Sequence, residues 1–288
     1  MEAQKEKKLV EKQSFDEERA LYHLQDALVR ECRFEGPADG ESALKEAAHI
    51  EVADCVFSLR YPLWHVTDFS LRRSTMDEKT RAAIWYARDG VIKDCVLGGI
   101  KCLRECDKIH VADCRIDSPE CGWKCRGVQI ENSGVQSEYF LLESRDIVID
   151  RLQMKGKYSF QYVENMQIRD SVLDTKDAFW HSKNVTVTDS VVKGEYLGWY
   201  SENLTLVNCK IIGTQPLCYC KGLRLVDCTM EGTDLAFEYS EVDARIKGSI
   251  LSVKNPRAGK IQADSIGEII REDAVMECTA RIEIKEME

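Results

Sequence analysis

No run of apolar residues in the 288-residue chain approaches the length of a membrane span. A spanning helix is therefore not expected. The first 13 residues are charged and lack the apolar centre of a secretion signal, so export is not expected and the cytoplasm is the expected compartment. A basic excess is missing too. Lys and Arg number 40 against 50 Asp and Glu, a net charge of −10. Phosphates need a basic face, so neither nucleic acid nor an anionic membrane is an expected partner. Cysteine, by contrast, is plentiful. The 13 cysteines are odd in number and come with no export signal, which reads as reduced thiols rather than a disulfide framework.

What the chain does have is a repeat. Residues 88–106 read RDGVIKDCVLGGIKCLREC and residues 107–125 read DKIHVADCRIDSPECGWKC. The same 19-residue unit continues without a gap through ENLTLVNCKIIGTQPLCYC, which ends at Cys220. Upstream, residues 48–66 are another such unit, and residues 25–47 carry extra residues around the turn Pro37-Ala38-Asp39-Gly40.

Counting from Arg88 as position one, positions three, five and ten are apolar, as in Val185, Val187 and Val192. Position seven is usually Asp or Asn, and position eight is small, as in Cys95, Cys114, Ser171 and Ser190. Positions fifteen to nineteen form a second apolar and aromatic stretch. This pattern predicts three short strands per repeat, with Asn, Asp and Gly at the corners. A unit so short cannot bury its own apolar face, and stacking like on like buries it in a column. The expected fold is all-β, a right-handed parallel β-helix of about twelve coils. At ~4.8 Å per coil it would be roughly 55–60 Å long. A leucine-rich repeat would need a longer unit, and a left-handed hexapeptide helix a six-residue period.

The expected organisation is a disordered tail over 1–14 and one β-helix domain over 15–288. The domain has an N-terminal helical or coil cap at 15–24 and a C-terminal cap from about 261, since open strand edges need covering. The alternating run 279–284 reads as the closing strand. In the core, Val187, Leu206 and Ile211 should be buried while Thr186 and Thr205 face solvent.

The third stretch carries the candidate chemistry. All five tryptophans, Trp64, Trp85, Trp123, Trp180 and Trp199, fall at position seventeen. Lys45, Arg104, Leu142, Gln161 and Cys218 share that column. Position eighteen holds Glu46, His65, Tyr86, Glu105, Lys124, Glu143, Tyr162, His181, Tyr200 and Tyr219. Position sixteen is apolar throughout and reads as interior. Polar side chains in both outer columns cannot all point inward without partners. One reading is a ladder of stacked side chains that stiffens the sheet, with Glu105, Lys124 and Glu143 as a vertical salt-bridge series. The other is a ligand groove. There Trp64, His65, Trp85, Tyr86, Trp123, Tyr162, Trp180, His181, Trp199 and Tyr200 would stack on sugar rings and bind hydroxyls.

If the chain is an enzyme, Glu105, Glu143, Arg104 and Lys124 are its candidate catalytic residues. Two coils place the carboxylate backbones roughly 9.6 Å apart, at the upper end of the spacing of an inverting glycosidase. Lys124 between them would favour ionised carboxylates, which suits a base but not an acid. Asp177 and His181 could share a local polar cluster. Cys102, Cys106, Cys121 and Cys125 resemble a four-cysteine zinc set. Both pairs recur at the repeat interval, however, so a core thiol ladder explains them and no metal is expected. No cofactor is implied.

The segments ERALYHLQDA, GPADGESALKE, LRYPLWHV, KGKYSFQYVEN, TKDAFWHSKNV, GEYLGWYSENLT and GTQPLCYC resemble an uncharacterised bacterial family, a domain of unknown function. Its members are single-domain β-helices of the pectin-lyase-like kind. The resemblance covers nearly the whole chain and implies the fold. Proteins of that kind mostly bind, cleave or epimerise polysaccharides, which by analogy implies lyase, hydrolase or epimerase-like chemistry. The Asn-Thr-Asp and Asp-Asp motifs of β-helix polygalacturonases are absent, as is an Asp cluster for calcium. The leading expectation is a carbohydrate-binding or carbohydrate-active β-helix whose ligand is an oligosaccharide or similar molecule. The alternative is a non-catalytic scaffold or protein-interaction rod.

Overall fold

The computed structural model describes residues 7–35 and 41–285. The expected turn at Pro37-Ala38-Asp39-Gly40 and the first six residues of the expected tail lie outside that range. The described chain is an all-β parallel solenoid of about 14 turns with a spacing near 19 residues. Its contacts divide it into two compact units, Met1–Phe140 and Leu141–Glu288.

In the first unit the first strand of each coil recurs at Lys8–Glu11, Gln25–Arg30, Ala48–Ala53, Thr67–Arg72, Arg88–Lys93, Asp107–Ala112 and Gln129–Ser137. Each pairs in parallel with the next, as Ile50 with Phe69 and Gly90 with Ile109. Lys8–Glu11 is a difference from expectation. In place of a loose tail, it is a strand in register with Ala27–Arg30. Residues 15–24 are no separate cap either. Leu21 and His23 donate to the Ala43 and Lys45 carbonyls, the same coil-to-coil bonding that later coils use. The third side is poorly formed as a strand, reaching only two residues at Leu63–Trp64, Ile84–Trp85 and Leu103–Arg104.

In the second unit the series runs through Arg145–Gly156, Glu164–Arg169, Lys183–Thr188, Glu202–Val207, Leu223–Glu231, Glu241–Ile246 and Ala258–Ala263. Arg281–Ile284 closes it, paired in parallel with Lys260–Ala263. Val187, Leu206 and Ile211 are fully buried. Thr186 is exposed and Thr205 half-buried, so the register is as the alternation predicts.

Two columns explain why particular polar residues recur. At position eight the hydroxyl or thiol of one coil accepts the backbone N–H of the coil before. Ser171 N–H donates to Ser190 Oγ at 3.0 Å and Cys114 N–H to Ser133 Oγ at 3.1 Å. A buried corner N–H left without an acceptor is costly, so Ser and Cys, small enough for the interior, fill this column except at the buried Leu152. At position two the chain turns through the left-handed region, with φ of 57° at Asp146, 56° at Asn165, 52° at Asn184 and 54° at Asn203. Asn and Asp tolerate that region best among residues with a Cβ. Their amides then form a ladder from coil to coil. The ladder ends at Gly222, where a Cβ would fall 2.7 Å from Asn203 Oδ1.

Candidate functional site

The side formed by positions sixteen to eighteen is built on an unusual backbone. Position sixteen is buried in every coil from Leu44 to Leu217. A strand would then send position seventeen out and position eighteen in. Position eighteen is instead left-handed, with φ of 57° at His65, 52° at Tyr86, 55° at Tyr162, 54° at His181 and 60° at Tyr200. That turn cancels the alternation, so both columns leave the core, the buried Cys218 excepted. Each left-handed L-residue costs roughly 1–2 kcal/mol. Coil-to-coil bonds offset it, as in His65 N–H to Trp85 O at 2.9 Å and His181 N–H to Trp199 O at 3.0 Å.

In the first unit, position seventeen is one continuous stack. The Lys45 ammonium lies 4.1 Å from the Trp64 ring centre, and Trp64 stacks on Trp85 at 5.4 Å. The Arg104 guanidinium sits between Trp85 and Trp123, 5.9 and 5.7 Å from their ring centres. Trp123 Nε1 donates to the Tyr139 carbonyl at 3.3 Å. Trp64 Nε1, Trp85 Nε1 and Arg104 Nη1 are buried without an acceptor among the described residues. In position eighteen His65 stacks on Tyr86 at 4.9 Å. A hydrogen bond to the Glu105 carboxylate holds the Tyr86 phenol above its ordinary pKa. Arg104 Nε lies 3.3 Å from Glu105. Glu105 therefore serves its neighbours on the same face, and Lys124 is exposed beyond it.

In the second unit, Trp180 and Trp199 stack at 5.5 Å with planes 7° apart. Their indole N–H groups donate to the Tyr196 and Gln215 carbonyls, at 2.6 and 2.8 Å. Gln161 Nε2 makes the equivalent bond to the Asp177 carbonyl. Leu142 continues the column and Cys218 is fully buried. Position eighteen is an aromatic ladder in which Tyr162, His181, Tyr200 and Tyr219 stack at 4.9, 5.0 and 4.8 Å. Tyr162 is 51% and Tyr200 43% exposed. Glu143 is exposed in this unit, its N–H bonded to the Gln161 carbonyl.

This geometry revises the expected chemistry. Sugar stacking needs an open ring face. Here Trp64 and Trp85, Trp180 and Trp199, and the successive rings of position eighteen cover one another's faces along the columns. His181 is held between Tyr162 and Tyr200, while Asp177 is a buried residue of position fourteen. The four candidate zinc cysteines are all buried. Cys106 Sγ donates to the Ile84 and Arg104 carbonyls, and Cys106 N–H donates to Cys125 Sγ. Among the described residues no group of three or more His, Cys, Asp or Glu side chains is placed to hold a metal ion. Among the described residues no helix is long and apolar enough to cross a membrane.

One feature escaped the sequence reading. On the outer side of the first strands, a cleft of about 550 Å³ in the first unit is lined by Asp26, His49, Glu51, Asp68, Arg72 and Asp89. His49 Nδ1 lies 2.8 Å from Asp68 Oδ2. The only signal was the recurrence of Asp and His at position two, which also marks a corner.

No curated protein matches the chain. Among solved structures it is similar to PfbA, a surface adhesin of Streptococcus pneumoniae, at 7% identity, 83% of this chain, 84% of that one and a TM-score of 0.48. It is also similar to the A-module of the Azotobacter vinelandii mannuronan C-5 epimerase AlgE6, at 12% identity, with coverages of 91% and 88% and a TM-score of 0.48. Residues 8–285 match the family described as "Protein of unknown function (DUF3737)", and the chain belongs to it.

Proposed function

We propose that the protein is a binding solenoid that takes an extended polyhydroxylated chain, an oligosaccharide, along the position-eighteen face of the second unit. The observation that carries this reading is the Tyr162–His181–Tyr200–Tyr219 ladder. It presents a polar ring edge once per coil at nearly constant intervals, with Tyr162 and Tyr200 well exposed. A chain of sugar rings also offers hydroxyls at regular intervals, so one tip per coil can meet one ring after another. Binding is then through phenol and imidazole edges, not through indole faces. Within the first unit, His65 and Tyr86 form a separate two-ring stack of the same kind. The free thiols suit a reducing compartment, which supports a cytoplasmic placement.

Titration calorimetry against a panel of neutral and acidic oligosaccharides tests this. Tyr162→Phe and Tyr200→Phe keep the stack and remove only the hydroxyls. Each should weaken binding about fivefold, the worth of one hydrogen bond. A panel without a ligand, or variants that bind as tightly as the parent, would sink the proposal. The second reading, a non-catalytic scaffold, is favoured by one specific observation. The Trp123, Trp180 and Trp199 N–H groups are already spent on backbone carbonyls, as a stiffening ladder requires.

A further inference from the structure

Arg281–Ile284 is the last rung of its sheet. It pairs on one side with Lys260–Ala263, and no strand among the described residues pairs with its other edge. In a parallel ladder alternate residues direct both backbone groups to the same neighbour. Lys285 N–H donates to the Ala263 carbonyl, so residues 281, 283 and 285 face the strand before. Ile282 and Ile284 then turn their N–H and C=O groups to the open edge, as does Ala280, whose carbonyl accepts there from Arg271 Nη2 at 3.0 Å. Ile282 also continues an apolar column, for it sits in register on the fully buried Ile261. Nearby chain adds to the exposed apolar surface: Ile284 is 46%, Met276 43% and Val275 85% exposed. Ser265–Ile270 is likewise a terminal strand, paired with Ser249–Lys254, and Ile269 is 40% exposed. A bare edge of this kind is a template for another strand.

The residues around Ile282 read alike in both directions. Set against a second copy in antiparallel orientation and centred on Ile282, the strand places Ile282 on Ile282 and Ala280 opposite Ile284. Arg281 then falls opposite Glu283 of the second copy, and Glu283 opposite its Arg281. The hydrogen-bonding requirement agrees with this register. Residues 280, 282 and 284, whose backbone groups face outward, fall at the hydrogen-bonded pairs. Arg281 and Glu283 fall at the non-hydrogen-bonded pairs, where side chains approach most closely. Glu283 lies on the same face as Lys260 and Gln262 of the preceding strand, 2.8 and 2.9 Å from them, and carries that charged face to the last rung.

We infer that the protein forms a two-fold symmetric dimer through antiparallel pairing of Arg281–Ile284 with the same strand of a second copy. Because the contact uses one patch twice, it closes on itself and stops at two. The charge pattern sets the register, and the apolar rung at Ile282 is covered in both copies.

Sedimentation velocity of the full chain across a concentration series is the test. The parent should dimerise. Arg281→Glu and Glu283→Arg each turn two attractive cross-strand pairs into repulsive ones and should raise the dissociation constant by about tenfold or more. The Arg281→Glu/Glu283→Arg double variant recreates both pairs and should restore dimerisation. An independent variant, Ile282→Cys, places two thiols at a Cα separation of ~5.5 Å and should give a covalent dimer under mild oxidation. A parent that stays monomeric, or species that grow beyond two, would overturn the inference. So would single reversals that leave the dimer intact, a double variant no better than the singles, or Ile282→Cys that does not cross-link.

Discussion

Asn184 Nδ2 donates to Asn165 Oδ1 at 3.1 Å, and Asn184 Oδ1 in turn accepts from Asn203 Nδ2 at 3.0 Å. The central asparagine thus serves two coils while holding a left-handed backbone. The two roles separate by substitution. Asn184→Gly keeps the backbone freedom and loses the ladder bonds. Asn184→Ala loses both, at a combined cost of about 2–3 kcal/mol against about 1 for the glycine variant. Urea unfolding of the two variants checks this. Equal losses would mean that the backbone conformation contributes nothing.

Leu206 is fully buried between Val187 and Leu225 in the first-strand column. Leu206→Ala should lower stability by about 2–5 kcal/mol through the cavity it leaves. The same substitution at the exposed Val148 should cost well under that. Chemical denaturation of both gives the comparison, and similar losses at the two sites would contradict the packing.

The period and the buried columns were legible because stacking repeats each residue's environment. Val187, Leu206 and Ile211 needed only the alternation of a strand. Asn165, Asn184 and Asn203 announced a corner because asparagine tolerates left-handed backbone. His65, Tyr86 and Tyr200 announced nothing of the kind, since bulky residues are poor markers of positive φ. A strand-based reading therefore had to choose one outward column, while the molecule has two. The cleft at His49 and Asp68 was hidden for another reason. Its walls depend on how side chains of successive coils lean, and no periodic pattern encodes that.

Twelve of the 13 cysteines are buried and Cys278 is half-buried. Burial pushes the Cys55 thiol up to about 12 and the Cys220 thiol to about 11. The reactive thiolate is scarce at such sites. In the folded protein at pH 8, an aromatic disulfide reagent should react with about one thiol quickly, at Cys278, and with the others only as fast as the chain opens. Cys278→Ser should remove the fast phase. After denaturation without reductant the count should rise to the full complement. Several fast thiols in the folded Cys278→Ser variant would contradict the buried ladder.

Asp177 gives a pH dependence whose sign is fixed by its surroundings. Burial raises its pKa above the ordinary carboxylate value, and the nearby Lys176 and Lys157 only partly oppose the shift. A carboxyl group that holds its proton more tightly when folded favours the native state at low pH. Its contribution is fully present below the unfolded pKa, about 3.9, and is lost as pH rises through the higher folded value. Asn has the same shape, tolerates the φ of 52° found here, and never ionises. Asp177→Asn should therefore match the parent near pH 3.5 and be the more stable of the two at pH 7. Thermal unfolding of both proteins at the two pH values reads this directly. If Asp177→Asn is instead less stable at pH 7 than at pH 3.5 relative to the parent, the carboxylate is stabilised by its lysines, and burial is not the dominant influence on it.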